Sequence, residues 1–153
     1  MIESVDYQGD YPTMSKVLKY NGNTLKEEVH SSEGQLEKLI KYNDAGNLSE
    51  VIFYDWDGEI KDRYETRDNK QGQKSLEKSY EGANKLISEI SYVYDDQGKI
   101  VEENWIDYEN KSEGKTLKAY TYDERGNWIQ SFHFDKEGKK IIDSTERVIN
   151  YFD

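Results

Sequence analysis

Apolar and polar side chains alternate along most of this chain in runs of seven or eight residues, and each run is broken by a short polar cluster that ends in Gly. Leu36, Ile40 and Tyr42 mark one run, Leu48, Ile52 and Tyr54 the next, and Trp128, Phe132 and Phe134 a later one. Period two places such residues on one face of a β-strand. Leu86, Ile90, Tyr92 and Tyr94, followed by Ile100, Ile106 and Tyr108, carry the pattern through longer strands. The opposite face is mixed. Glu37, Leu39 and Lys41, then Ser49, Val51 and Phe53, then Val93, Val101, Trp105, Ile129 and His133 make it apolar near mid-strand and polar toward the ends. Either a second layer covers that band or it is exposed. No segment carries a helical period.

The glycines act as a ruler. Of 11 Gly, ten fall at 22, 34, 46, 58, 72, 82, 98, 114, 126 and 138, most of them 12 residues apart. Twelve residues suit one strand plus one tight turn, and a fixed period signals a repeat-built fold. The turn chemistry explains the glycine. In an Asp-x-x-Gly unit the carboxylate accepts a hydrogen bond from the N–H two residues on, two polar residues make a type I turn, and Gly takes the left-handed conformation of a bulge. Asn43, Asp55, Asp95, Asp123 and Asp135 hold the first position before Gly46, Gly58, Gly98, Gly126 and Gly138, with Ser31 a weaker version before Gly34.

The prediction is an all-β antiparallel meander of ten to eleven strands from Lys16 to Phe152, built from 12-residue hairpin repeats as a curled single sheet or two layers. Residues 1–15, with the single proline Pro12, read as a loose or edge-covering segment, and 16–153 as one repeat domain. The polar stretch 65–75 is where an interruption of the ladder is expected.

Composition adds an aromatic core to this picture. Charged residues reach 35% and hydrophobic ones only 34%, a balance that favours disorder, yet 13 Tyr, 4 Phe and 3 Trp are more than disordered chains carry. The net charge of −11 repels phosphate backbones and anionic membranes and suits a basic protein partner. Nucleic acid and membrane insertion are not expected, and the oligomeric state is left open. Without Cys there is no disulfide framework. The first residues lack the basic and apolar regions of a signal peptide. A native Met1 therefore implies a cytoplasmic protein, and a removed signal peptide a secreted or periplasmic one.

Tyr94-Asp95-Asp96-Gln97-Gly98-Lys99-Ile100 and Tyr122-Asp123-Glu124-Arg125-Gly126-Asn127-Trp128 resemble the YD repeats of bacterial RHS-type proteins. Leu18-Lys19-Tyr20-Asn21-Gly22 and Gly46-Asn47-Leu48-Ser49-Glu50 are similar to the hairpin repeats of MORN-type antitoxins. The resemblance covers most of the chain and implies successive hairpins in an extended sheet, a bacterial origin and a setting of toxins and immunity proteins. The roughly ten repeats here are too few for the enclosing shell of large RHS proteins.

No catalytic constellation stands out. His30 and His133 lie one in each half without a metal or triad motif, and read as sheet-surface residues. Asp55-Trp56-Asp57-Gly58-Glu59 is similar to a fragment of a calcium loop but lacks further ligands and fits a hairpin turn, so no cofactor or metal is expected. Carboxylates are abundant, but none is singled out as an acid or base. Trp56 is the outlier, because the same turn position elsewhere holds Ser32, Asp44, Asp96, Glu124 or Lys136. It reads either as a binding anchor or as a ring folded back over the sheet. Trp105 and Phe53 pose the same question, with burial the expectation. The sequence thus points to a non-enzymatic protein-binding module, an acidic immunity-type protein that neutralises a basic effector. The alternative is a secreted or envelope-associated structural or carbohydrate-binding repeat protein.

Overall fold

The computed structural model describes residues 2–5 and 14–151; Pro12 and Phe152 lie outside the described residues. Every regular element is a strand: β1 Ile2–Val5, β2 Met14–Asn21, β3 Thr24–Ser32, β4 Gln35–Tyr42, β5 Leu48–Tyr54, β6 Ile60–Asp68, β7 Lys74–Glu81, β8 Lys85–Tyr94, β9 Ile100–Asp107, β10 Ser112–Tyr122, β11 Trp128–Phe134 and β12 Ile141–Glu146. The strand order in the sheet is the order in the chain, with β1 and β12 at the two ends, so the meander does not close. The chain divides into two compact units, residues 1–89 and 90–153.

The predicted turns form. Oδ1 of Asn43, Asp55, Asp95 and Asp123 accepts the N–H two residues on and the N–H four residues on, all at 2.9–3.0 Å. Asp135 Oδ1 accepts from Lys139 N–H at 2.8 Å. The glycines that follow, Gly46, Gly58, Gly98, Gly126 and Gly138, sit at φ between 71° and 84°, a region that side chains adopt only at a cost.

Several expectations need correction. The stretch 65–75 does not interrupt the ladder: Asn69 Oδ1 accepts from Gln71 and Gln73 N–H at 2.9 and 3.0 Å, the same turn with Asn for Asp, and β6 pairs with β7 from Asp62↔Glu81 to Asp68↔Lys74. Ser31 belongs to β3 rather than to a turn; β3 and β4 are joined by the two-residue turn Glu33-Gly34, both with positive φ, as a type I′ hairpin requires. Gly114 is not a turn residue either. It lies within β10 opposite Trp105, and the β9–β10 turn is made instead by Asp107, whose Oδ1 accepts from Glu109 and Asn110 N–H at 3.0 and 2.9 Å. Lys111 takes the left-handed position there, at φ 50°. Tyr108 therefore lies past the end of its strand. Within the segment 1–15, read as loose or edge-covering, Ile2–Val5 is an edge strand that pairs antiparallel with β2, which leaves that reading in place. The last strand ends at Glu146, short of Phe152.

The described residues contain no buried aromatic core. Among the described residues Ile52 alone is buried, at 6% exposure. Within each unit the strands follow one another in a single layer, so both faces stay half-open and cohesion comes from cross-strand neighbours. In the first unit one face carries two rows in direct register. Val17, Val29, Leu39, Ile52, Arg63 and Tyr80 form the first, and Lys19, Glu27, Lys41, Glu50, Glu65 and Lys78 the second. Ile52 thus shares its face with Leu39, where uniform alternation grouped it with Ile40. The turn bulges account for this, since each extra residue shifts the facing of the next strand.

Candidate functional site

The charged row is a ladder of opposite signs. Lys19 pairs with Glu27 at 2.7 Å and Lys41 with Glu50 at 2.6 Å. Glu50 and Glu65 then face each other, a like-charge contact that would be unfavourable alone. Arg63 resolves it, reaching Glu65 at 2.6 Å and Glu50 at 3.2 Å with its guanidinium 4.0 Å above the Tyr80 ring. Partial burial works to raise the Glu50 carboxyl, but Lys41 and Arg63 outweigh it and hold it below the usual range.

On the opposite face Glu28 collects three donors: Lys16 at 2.6 Å, the Tyr42 hydroxyl at 2.7 Å and His30 at 3.2 Å. Burial again works to raise this carboxyl, and the donors together bring it down to about 2. Tyr42 is pushed up to about 12, by burial and by its bond to Glu28. His30 thus reaches Glu28 from within the same strand. Phe53 shares this face. It sits in register between Lys38 and Asp62, edge-on to Tyr64 with ring centroids 6.1 Å apart. At 38% exposure it is half-covered by that partner.

In the second unit, rings and turns are tied together. The Tyr122 hydroxyl donates to Asp95 Oδ2 at 2.6 Å, bonding one Tyr-Asp turn to another. Burial favours the neutral form of Asp95, yet Tyr122 and the N–H groups of Lys99 and Gln97 keep its carboxyl below the ordinary value. Tyr151 donates to Asp123 beneath the Arg125 guanidinium, and Arg147 stacks on Trp128 at 4.1 Å. These pairings are nonlocal, and the spacing of Tyr and Asp gave no sign of them.

The three aromatics singled out by sequence fall in separate places. Trp105 lies across Gly114: a Cβ added there would meet the indole at 2.4 Å. Its burial was expected, but at 37% exposure it is only half-covered, resting on a neighbouring strand and not under a second layer. With Asn104, Ile106, Glu113, Lys115 and Lys136 it borders a shallow groove of about 480 Å³.

Trp56 stands apart from both. The Asp55–Gly58 turn holds it at the first central position, fixed by Asp55 N–H to Glu59 O at 3.0 Å and Gly58 N–H to Asp55 O at 3.1 Å. It is 75% exposed and does not fold back over the sheet. It borders a cleft of about 350 Å³ that Gln35, Leu36, Glu37, Tyr54, Asp55 and Lys61 complete. Phe53 is not part of it. The strand between the two turns orients Tyr54 into the cleft and Phe53 to the other face.

Fold and turn chemistry define the class, an all-β antiparallel hairpin meander. Compared with known proteins, no family model matches this chain, and no curated protein matches it at a significant level.

Proposed function

We propose that this protein is a non-enzymatic binding module that seizes a basic protein partner, in the manner of an immunity protein neutralising a bacterial effector. One observation carries the reading: a hydrogen-bonded turn presents Trp56 to solvent beside an open cleft. An indole at a turn tip is available as an anchor, and Trp is among the residues enriched at interface hot spots. The net charge of −11 supplies long-range attraction to a basic partner. The RHS-like and MORN-like turn grammar supplies the toxin and immunity setting.

A carbohydrate-binding role is the second reading, favoured by the Trp105 groove with its amide, carboxylate and ammonium groups. Affinity capture from lysate and culture medium of the source organism separates the two, with native protein and Trp56→Ala as baits. A single stoichiometric basic protein retained by the native bait and lost with the variant supports the first reading. Retention of soluble glycan in place of protein, with dependence on Trp105, overturns it.

A further inference from the structure

Three times among the described residues an arginine guanidinium sits over an aromatic ring. Arg63 covers Tyr80 at 4.0 Å between Glu50 and Glu65, Arg125 covers Tyr151 at 4.0 Å with Asp123 bonded to the same tyrosine, and Arg147 covers Trp128 at 4.1 Å. In two of the three a carboxylate completes the cluster. At the Trp56 cleft the ring and the carboxylates are present and the arginine is missing. Glu37 lines the cleft without an ion pair among the described residues, and Asp55 spends Oδ1 on the turn while Oδ2 has no partner there. Asp57 and Glu59, on either side of Gly58, are exposed and form no ion pair among the described residues. Along the ladder of the same unit, by contrast, the carboxylates of Glu27, Glu50 and Glu65 are all neutralised.

We infer that the Trp56 cleft is an arginine receptor, which takes a guanidinium from a basic partner between the indole face and the carboxylates of Glu37 and Asp55. This rests on the protein-binding reading and names its anchor. The planar, weakly hydrated guanidinium suits the site better than a lysine ammonium does, because it stacks on the ring and still donates in its plane. The turn fixes the Trp56 backbone before binding, so only the indole itself must be ordered. Lys61 is the one cation lining the cleft. It opposes an incoming charge, and removing it therefore strengthens binding.

The test is a titration of uniformly labelled protein with hexa-arginine, hexa-lysine and hexa-citrulline peptides, read from the indole N–H resonances of the three Trp. Hexa-arginine is expected to shift the Trp56 signal saturably, and hexa-citrulline to leave it unmoved. Followed by backbone amide shifts of the Asp55–Gly58 turn, Trp56→Ala weakens hexa-arginine about two- to fivefold, from the strength of exposed cation–π contacts. Glu37→Gln weakens it less and flattens its salt dependence, and Lys61→Ala tightens it. Equal response to citrulline, or shifts spread over the acidic surface with Trp56 no more affected than the rest, overturns the inference. Capture of a basic partner equally well by native protein and Trp56→Ala also overturns it, while leaving the protein-binding reading intact. Saturable arginine binding at Trp56 with no partner captured supports the receptor and removes the effector-neutralising reading.

Discussion

The two units reach cohesion by different means. In the first, six charged residues in register, with Arg63 reaching in from the adjacent row, bind neighbouring strands by ion pairs. In the second, Lys115 and Glu102 form a cross-strand ion pair at 2.9 Å, but an indole seated on a glycine, arginines over rings and tyrosines bonded to turn carboxylates add cohesion by shape and by aromatic contacts. A single-layer sheet offers little apolar burial, so each unit depends on side-chain pairs worth only about 0.2–1 kcal/mol apiece. The difference shows which kind of contact tolerates change: a charge row loses one rung at a time, and a ring on a glycine is lost at once.

The steepest test of that contrast is Gly114→Val. Its branched side chain would occupy the space of the Trp105 ring, and a loss of about 3 kcal/mol is expected. Native-state hydrogen exchange should show it as lowered protection in residues 90–153. The double variant with Trp105→Ala should cost less than the two single changes together. Strict additivity would mean that ring and glycine do not interact.

Arg63→Met comes next. It leaves Glu50 and Glu65 facing each other, and about 2 kcal/mol should be lost in urea melts at low salt, less in high salt. Truncating Lys19 at the end of the row should cost under about 0.5 kcal/mol.

Glu28 gives the ladder's unit an acid limb. Its folded value of about 2 lies below the ordinary 4.5, so its stabilising contribution is complete above pH 4.5 and disappears as pH falls toward 2. Urea melts between pH 5 and about pH 2 should show native protein weakening through that window and Glu28→Gln changing less. Identical slopes would remove Glu28 as a cause. Smaller again, Lys111→Gly should gain up to about 1 kcal/mol by relieving the left-handed backbone. Smallest is Trp56→Ala, expected to shift the melting midpoint by no more than about 0.5 kcal/mol equivalent. A loss above about 1 kcal/mol would return Trp56 to the fold and remove it from binding.

What could be read from sequence was whatever is decided within five residues. Asp55 and Gly58 announce their turn because the carboxylate bonds to its own backbone. Asn69 makes the same turn, but its stretch is so polar that it read as an interruption. Gly114 kept time with the ruler for an unrelated reason: its missing side chain makes room for a ring on the next strand. Lys111, standing where a glycine was due, concealed the real turn. The aromatic core was inferred from abundance, and abundance does not distinguish rings under a second layer from rings tied to turns. Of the candidate site, the exposed turn position of Trp56 was legible as an anomaly. Its partners Leu36, Glu37 and Lys61 come from neighbouring strands, and only the register brings them there.

The alternation of turns has a bearing on how such a chain could lengthen. Gly46, Gly72, Gly98 and Gly126 lie 26, 26 and 28 residues apart, each closing a turn that opens on Asn or Asp. Duplicating one strand would reverse the direction of every strand after it and send each later turn to the opposite edge, breaking bonds such as Tyr122 to Asp95. Duplicating a hairpin pair preserves direction, facing and edge together. The smallest segment this architecture can gain or lose without rewriting its contacts is therefore two strands, and recombination in whole hairpins is the route by which relatives of different length would arise.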